Sequence, residues 1–349
     1  MTMNHPRPRI TDVARLAGVS ETTVSVVLNN AVGDRVRVSK ATQDRVWEAV
    51  RQLGYVANPV AQRLAGGQNK IVAVFTFESI FPIDSRNFYY PFLIGLEEEA
   101  DRQGYDLLLV TGSGSTTRKR QIYQDGVNRL QRADGAILLG HSDPSEINRL
   151  IKDQYPFVYV GRRDTLSDAL SYVAADYEAA SAEIAQRLLG LGHRNLAYIR
   201  SVRTTEASMD RERGVREALG HRADDSDWIW HGASDDLTVN QMRQWLDSGV
   251  TGLIAEDETL GLRVMQCASH AGRRCPEDYS LAVLGNPLNP LPDVPDWMTF
   301  NIPRREMGRE AFAMLQTWLT GDLKTLQFPL RKTLSCNFIP GNTTRRLSG

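Results

Sequence analysis

The chain has 349 residues, of which 42% are hydrophobic and 24% are charged, and this length predicts two or three domains rather than one. No run approaches the roughly 18 apolar residues of a membrane span, and the N-terminus lacks the apolar stretch of a secretory signal. The three cysteines show no CxxC spacing, which favours a protein of the reducing cytoplasm and no metal site: Cys267, Cys275 and Cys336.

Charge is distributed unevenly along the chain. Residues 1–70 contain ten Lys/Arg and five Asp/Glu, a net charge of +5, whereas the remainder contains 31 basic and 37 acidic residues, a net charge of -6. A basic N-terminal segment ahead of a mildly acidic body favours a polyanionic partner for that segment.

The first 57 residues predict a head of three short helices. Thr11, Ser20 and Ser39 are the predicted N-caps, and Gly18 and Gly54 are the predicted stops of the first and third helices. Hydrophobic residues at helical spacing predict the buried faces of Val13, Ala14, Leu16, Ala17, Val24, Val27, Leu28, Val46, Val50 and Leu53.

A fourth, two-turn helix is predicted within residues 58–69. Asn58 suits the N-cap, Pro59 suits the first helical position, and the pair Gly66 and Gly67 ends the helix. Because so short a helix is marginal on its own, we expect it to need a partner.

From residue 70 onward, short apolar runs alternate with helical segments. Such β-α repeats predict parallel sheets covered by helices, and their length favours two α/β lobes with a ligand cleft at the carboxyl ends of the strands. The predicted strands are Ile71–Phe77, Tyr105–Thr111, Gly135–Gly140, Phe157–Gly161, Asn195–Arg200, Thr251–Ala255 and Ser280–Leu284.

Residues 11–29 have the spacing of a helix-turn-helix, in which the second helix enters the major groove of DNA. Its predicted outer face carries Glu21, Thr22, Ser25, Val26 and Asn29. Side chains of these types contact base edges, thymine methyls or phosphates. A plain helical hairpin inside a larger core is the alternative.

The segments ITDVARLAGVSETTVSVVLNN and VSKATQDRVWEAVRQLGYVANPVAQRLAGG resemble the head and hinge of the LacI/GalR (lactose-repressor) family. The resemblance implies that Asn29 and Tyr55 approach the DNA backbone. It also implies that Ala61 and Leu64 of a hinge helix enter the minor groove, where the paired leucines of a homodimer bend the duplex. The full predicted DNA-binding set is Thr11, Ser20, Glu21, Thr22, Thr23, Ser25, Val26, Asn29, Tyr55, Asn58, Ala61 and Leu64.

Two positions on the recognition helix depart from the family pattern. Val26 stands where the family often has an arginine that bonds guanine, and Glu21 is acidic at a base-reading position. Glu21 either accepts from cytosine or stabilises the positive end of its helix. The operator is therefore expected to differ from those of better-known members.

The body resembles the same family in segments such as GLEEEADRQGYDLLLVTG, LLGLGHRNLAYI and DRERGVREAL. The implied fold is a two-lobed α/β domain like that of periplasmic sugar-binding proteins, over residues 70–341. The first lobe is expected at about 70–169 plus 302–328 and the second at about 171–301 plus 329–341, followed by a loose tail at 342–349.

Family ligand positions transfer unevenly to this chain. Arg211 matches the arginine that grips the effector, whereas Glu256 stands where asparagine is usual and Gly285 where aspartate is usual, so an ordinary hexose is less expected. Arg162 and its neighbour Arg163 attract an anionic effector or form a solvated pair. The predicted effector-binding residues are Phe77, Phe81, Tyr89, Arg162, Asp176, Arg211, Glu256 and Asp257.

Catalytic motifs are absent from the sequence. The glycine-rich run at 111–116 lacks the spacing of a phosphate loop, and neither HExxH nor GxSxG occurs. We therefore expect no enzyme, no metal and no cofactor. The sequence predicts a cytoplasmic homodimeric repressor of transcription that binds a double-stranded DNA operator and responds to a sugar-like effector, by induction or co-repression. The alternative is a sugar-binding or sugar-processing α/β protein without a DNA function.

Overall fold

The computed structural model describes residues 8–28, 38–53, 55, 69–78, 88–112, 120–141, 143–163, 167–202, 204–220, 228–286, 295–321 and 325–347. The chain divides into two compact units, Met1–Ile71 and Val72–Gly349, here called the head and the body. Some predicted site residues lie outside the described residues: Asn29, Asn58, Ala61, Leu64 and Phe81.

Three helices build the described part of the head: α1 (Ile10–Ala17), α2 (Glu21–Leu28) and α3 (Lys40–Leu53). Their shared core contains Val13, Ala14, Ala17, Val24, Val27, Val46 and Ala49, as the helical spacing predicts for most of them. The prediction for Leu16 is wrong, because its side chain is 50% exposed on α1.

Side-chain caps start α2 and α3, as predicted. The Ser20 hydroxyl accepts a hydrogen bond from the N–H of Thr23 at 3.1 Å, and the Ser39 hydroxyl accepts one from the N–H of Thr42 at 3.3 Å. Each cap satisfies a backbone donor that the first helical turn leaves open.

The predicted cap at Thr11 is wrong, since α1 already begins at Ile10. The Asp12 carboxylate, in the first turn of α1, accepts a hydrogen bond from the N–H of the N-cap residue Arg9 at 2.9 Å. Gly18 ends α1 with φ of 66°, a left-handed conformation that favours glycine.

The body contains fourteen described strands: β1 (Ile71–Thr76), β2 (Asp106–Val110), β3 (Tyr123–Gln124), β4 (Val127–Asn128), β5 (Gly135–Leu139), β6 (Phe157–Val160), β7 (Tyr172–Ala175), β8 (Leu196–Ser201), β9 (Ile229–Gly232), β10 (Gly252–Ala255), β11 (Ser280–Val283), β12 (Thr299–Asn301), β13 (Arg331–Leu334) and β14 (Asn337–Ile339). Its described helices are α4 (Tyr90–Gln103), α5 (Pro144–Lys152), α6 (Tyr177–Gly190), α7 (Glu206–Leu219), α8 (Val239–Asp247), α9 (Glu258–His270) and α10 (Arg304–Thr320).

Two sheets define two lobes. The first lobe holds a six-stranded sheet of order β13-β7-β6-β5-β1-β2, against which α4 and α10 pack. The second lobe holds a four-stranded parallel sheet of order β11-β10-β8-β9, the antiparallel pair β12-β14 and helices α6 to α9. This is the two-lobed α/β architecture that the sequence predicts.

The crossovers between lobes differ from the expected boundaries. The strands β7 and β13 were expected in the second lobe, yet β7 pairs with β6, and β13 pairs with β7, inside the first sheet. All four residues of β7 are buried, as is typical of an interior strand of a parallel sheet. The chain therefore adds β7 to the first sheet before it crosses to the second lobe.

The segment 342–347 is not a loose tail. Thr343 is 2% exposed, and its hydroxyl accepts from the N–H of Met298 at 2.9 Å and donates to the carbonyl of Leu281 at 2.7 Å. The carbonyl of Arg345 lies 3.1 Å from Nε2 of His193. These contacts fasten the segment to the second lobe, and the expectation of a tail is wrong there.

Glycines allow the close helix pairs that position the cavity-lining residues. A Cβ on Gly214 of α7 would lie 2.0 Å from the carbonyl oxygen of Glu178 in α6, and a Cβ on Gly308 of α10 would lie 2.2 Å from the carbonyl oxygen of Phe92 in α4. Each of these helix pairs is therefore fixed at a backbone-to-backbone approach that a larger residue would prevent.

Candidate functional site

The predicted outer face of α2 is open to solvent at its start. Ser20, Glu21 and Thr22 are exposed, while Ser25 and Val26 are half-buried. Buried Val24 and Val27 hold the opposite face against the head core. The helix thus presents short polar side chains near its N-terminus, the end that reads base edges in helix-turn-helix proteins.

The other described DNA-binding candidates lie around this helix. Thr11 is exposed on α1, and Thr23 is tied to Ser20 through their hydroxyls at 2.8 Å. Tyr55 is half-buried against the head core, and burial raises the pKa of its hydroxyl, which keeps it a protonated donor. Their contacts with DNA remain predictions.

A cavity of about 1140 Å³ lies between the two lobes of the body. First-lobe residues reach it from just beyond β1, β5 and β6, and second-lobe residues from just beyond β8, β10 and β11. These are the carboxyl ends of parallel strands, where ligands of α/β sheets bind, as predicted.

Five predicted effector residues line this cavity: Tyr89, Arg162, Arg211, Glu256 and Asp257. Two others do not line it among the described residues. Phe77 is buried against Phe75 in an edge-to-face contact at 4.9 Å between ring centroids. The Asp176 carboxylate caps α6 by accepting the N–H of Ala179 at 3.0 Å. In this structure both side chains therefore make contacts within their own lobe and do not face the cavity.

At the first-lobe side, Glu78 joins two cavity residues. Its carboxylate accepts from the hydroxyl of Tyr89 at 2.6 Å and lies 2.8 Å from Nδ1 of His141. Burial, together with Glu78, raises the pKa of Tyr89, so this hydroxyl stays a donor. Phe88 contacts Tyr89 edge-to-face at 5.3 Å and is 46% exposed, which leaves an aromatic face for a ligand ring.

Two ion pairs cross from the first lobe to α7 of the second. Arg162 donates to Asp210 through Nε at 3.0 Å and Nη2 at 2.6 Å, and Arg163 donates to Glu206 at 3.1 Å. Both carboxylates are buried. The positive charge of Arg162, which we expected to attract an anionic effector, is therefore paired with the carboxylate of Asp210 within the protein.

Arg211 and Arg304 contrast with these paired arginines. The Arg211 guanidinium carbon lies 4.2 Å from the ring centroid of Tyr177, and its buried Nε has no hydrogen-bond partner among the described residues. Arg304 is 7% exposed and donates to Asn286 at 2.9 Å and 3.3 Å, while its buried Nε likewise finds no partner in the part of the chain that the structure describes. Burial, with the nearby charge of Arg211, lowers the pKa of Arg304.

Two acidic residues on the second-lobe side of the cavity each accept a backbone hydrogen bond. The Glu256 carboxylate is buried and accepts from the N–H of Ser201 at 2.8 Å. The Asp257 carboxylate caps α9 by accepting from the N–H of Leu260 at 2.9 Å.

Sequence reasoning missed several cavity residues: Glu78, Tyr177, Asp210, Asn286 and Arg304. Tyr177 was detectable, because it directly follows the predicted polar position Asp176. Arg304 gave no signal in the sequence, since one arginine among several at a helix start is common and only the fold buries it. Among the described residues, no group of His, Cys, Asp or Glu is arranged to hold a metal ion. None of the described helices is long and apolar enough to cross a membrane.

Comparison with known families divides the chain in the same way as its structure. The family described as "Bacterial regulatory proteins, lacI family" matches residues 9–58. "Periplasmic binding proteins and sugar binding domain of LacI family" matches residues 77–236, and "Periplasmic binding protein-like domain" matches residues 185–344. Head and body are thus matched separately.

Relatives match along nearly the full length. The HTH-type transcriptional regulator CelR of Thermobifida fusca is 31% identical over 325 residues, which cover 90% of this chain and 93% of the relative. The HTH-type transcriptional regulator DegA of Bacillus subtilis is 28% identical over 309 residues, which cover 86% of this chain and 88% of the relative.

Solved structures agree with these matches. A CelR–cellobiose complex is 28% identical with a TM-score of 0.61 and covers 97% of this chain and 100% of that chain. The Lac repressor dimer bound to operator and the anti-inducer ONPF is 21% identical with a TM-score of 0.70 and the same coverage, a likeness of fold. With a 31% identical relative matched from head to body, the chain belongs to the LacI family of bacterial transcriptional regulators.

Proposed function

We propose that this regulator is a homodimer whose heads bind an operator in double-stranded DNA and whose bodies each bind one sugar-like effector. The observation that carries the proposal is the interlobe cavity of about 1140 Å³, whose lining includes aromatic rings and an arginine with a buried Nε that has no partner among the residues described. That arginine, Arg211, is the predicted effector-gripping residue. A guanidinium beside aromatic rings suits a ring that carries hydroxyl or acidic groups.

Effector binding would control DNA binding through the angle between the lobes. The cavity is lined from both lobes, so a ligand that contacts both favours one lobe arrangement over others. The cross-lobe pairs of Arg162 with Asp210 and Arg163 with Glu206 hold one such arrangement without a ligand. A ligand shifts this equilibrium only by its differential affinity, so control by release or by co-repression both fit.

The non-DNA alternative is disfavoured by the head itself. A free sugar-binding protein has no use for an exposed, polar recognition helix capped by Ser20, nor for a net charge of +5 over residues 1–70. The relatives that match the full chain are named as transcriptional regulators, not as enzymes.

A selection from randomised duplex oligonucleotides tests the proposed DNA function. The full-length protein should enrich a palindromic site, because a twofold-symmetric dimer presents two recognition helices. In the same assay, Thr22→Ala should weaken binding to the enriched site by about 5-fold to 100-fold, the range for loss of a base contact. Gln52→Ala, at an exposed position on α3, is the control and should bind nearly as wild type. Enrichment of no sequence would overturn the proposal.

A further inference from the structure

We propose that the effector is a sugar acid, whose carboxylate is held between Arg211 and Arg304. This inference rests on the proposed effector site and names the chemical class of its ligand. It follows from two arginines of one cavity, the half-buried Arg211 and the buried Arg304, neither of which forms an ion pair among the described residues.

Arg211 has no hydrogen bond or ion pair from its guanidinium among the described residues. Its Nε is buried, and its only close partner there is the Tyr177 ring, which lies 4.2 Å from the guanidinium carbon. A ring face offsets part of the cost of removing a cation from water, but it provides no hydrogen-bond acceptor. An anionic ligand would supply both the charge and the acceptor atoms.

Arg304 is more deeply buried, at 7% exposure. Both of its Nη atoms donate to Asn286, one to the side-chain oxygen and one to the carbonyl, which are neutral acceptors. Its Nε has no partner, and in the described part of the chain no carboxylate lies within 4.0 Å of it. The desolvated charge is therefore oriented but not neutralised.

The other three arginines that line the cavity have ion-pair or hydrogen-bond partners. Arg162 and Arg163 form ion pairs with Asp210 and Glu206. Arg263 is only half-buried, and it donates through Nε to the carbonyl of Leu237 at 3.0 Å and through Nη1 to Gln266 at 2.9 Å. Arg211 and Arg304 thus differ from the other three. They approach the same short stretch of chain, since Arg304 donates to Asn286 and a Cβ on the adjacent Gly285 would lie 3.6 Å from Nη2 of Arg211.

Both arginines line the interlobe cavity beside Gly285. A Cβ built on Gly285 would lie 3.0 Å from Cδ1 of Ile302 and 3.6 Å from Nη2 of Arg211, so a side chain at this position would crowd the guanidinium. The ring centroid of Phe88 lies 5.7 Å from the guanidinium carbon of Arg304, and Phe88 is 46% exposed. A sugar ring over Phe88 would place an attached carboxylate beside the pair.

Donors remain for an anion on both arginines. A guanidinium carries five N–H groups, so Arg304, which gives one N–H from each Nη to Asn286, keeps a second N–H on each. The two oxygens of a carboxylate match one flat edge of a guanidinium such as that of Arg211. A phosphate group would meet the same charges, and titration with glucose 6-phosphate separates the two ligand classes.

Isothermal titration of the full-length protein with matched ligands tests the inference. The pairs are glucuronate with glucose, galacturonate with galactose, and cellobionate with cellobiose, and glucose 6-phosphate is added as the phosphate probe. We expect at least one carboxylate to bind at least about 10-fold more tightly than its neutral counterpart, because a buried charge-assisted pair replaces an unpaired cation. Neutral sugars that bind as tightly as their acids, binding of the phosphate alone, or binding of no carboxylate would each overturn the inference.

Two variants locate the effect. Arg304→Gln should weaken carboxylate binding by about 30-fold or more while neutral sugars change little, since only the acid uses the second cation. Arg263→Gln removes a cation from the same cavity that is already hydrogen-bonded, and it should leave the preference for acids intact. Equal preference for acids in wild type and Arg304→Gln would overturn the assignment.

The experiment separates this inference from the proposed function. If Arg304→Gln lowers the melting temperature of the ligand-free protein, Arg304→Lys and Arg211→Gln provide the same test with different structural demands. A protein that selects an operator but responds only to neutral sugars contradicts the carboxylate and keeps the regulator. A protein that binds sugar acids but selects no DNA contradicts the proposed regulator and keeps the carboxylate site.

Discussion

The guanidinium of Arg162 and the carboxylate of Asp210 join the two lobes of the body through paired hydrogen bonds of 3.0 Å and 2.6 Å. Their side chains are 20% and 10% exposed, so water screens the attraction little. Arg213 of α7 adds a second contact to Asp210 at 3.3 Å. The cavity wall thus contains a bond between the lobes that any effector-driven motion must keep or break.

Asp210→Asn should destabilise the body by about 2 kcal/mol, because it leaves Arg162 partly buried without its counterion. Urea unfolding of the full-length protein, followed by the fluorescence of the body tryptophans, measures this change. The variant should also shift effector affinity, since the ion pair holds one lobe arrangement over others.

The control is Glu183→Gln, which breaks the pair of Glu183 with Arg187 on α6, where the side chains are 41% and 46% exposed. An exposed pair contributes little, so we expect a change below about 0.5 kcal/mol. Equal effects of the two substitutions would contradict the role given to the interlobe pair.

The sequence predicted Arg162 at the cavity but not its partner. Capping at Ser20 and Ser39 was predictable because a cap joins residues three apart, and local chemistry decides it. Arg162 and Asp210 are 48 residues apart and belong to different lobes, so only the folded arrangement brings them together. The same limit applies to Arg304, which is held by Asn286, 18 residues earlier in the chain.

Ser20→Ala should weaken the recognition helix by about 1 kcal/mol, because the N–H of Thr23 loses its acceptor. Hydrogen exchange of the α2 amides in the full-length protein would show the loss locally, and affinity for the selected DNA should fall with it.

Ser39→Ala is the matched change, since it removes the equivalent cap from α3, where the N–H of Thr42 loses its acceptor. It should cost the head similar stability with a smaller effect on DNA affinity, because α3 is not the helix predicted to read bases. Equal losses of DNA affinity in both variants would show that head stability, and not the position of α2, controls binding.

Thr343→Val should destabilise the body by about 2 to 4 kcal/mol. The substitution keeps the side-chain shape but leaves the N–H of Met298 and the carbonyl of Leu281 without the hydroxyl, in a site that is 2% exposed. Thermal unfolding measures the change. Thr317→Val is the control, because that exposed hydroxyl only donates to the carbonyl of Ala313 within α10, and we expect a change below about 0.5 kcal/mol.

The docking of residue 343 also shows why the tail was mispredicted. The final residues are polar and carry no hydrophobic periodicity, which is typical of loose ends. Within the described residues 342–347, Thr343 is held by hydrogen bonds of its hydroxyl to Met298 and Leu281, and such polar contacts leave no hydrophobic pattern in the sequence. Hydrophobic pattern therefore predicts the sheets and helices of this protein better than the segments that fasten them.

His193 should make the stability of the body depend on pH below neutrality. Its ring is buried, with Nδ1 3.0 Å from the hydroxyl of Thr251 and Nε2 3.1 Å from the carbonyl of Arg345. Burial lowers the pKa of His193 from its ordinary value of 6.5 in the folded state. As the pH falls below 6.5, the unfolded chain takes up a proton at this site that the folded chain does not, so the free energy of unfolding decreases.

This loss should stop only when the pH passes the folded-state pKa of His193, and it should vanish above neutrality. Urea unfolding from pH 7.5 to pH 5.5 would measure it as a slope of at most about 1.4 kcal/mol per pH unit. His193→Gln keeps a donor for the carbonyl of Arg345 but cannot titrate, so wild type should lose stability relative to this variant as the pH falls. Parallel curves for wild type and His193→Gln would show that this ring has the same pKa folded and unfolded.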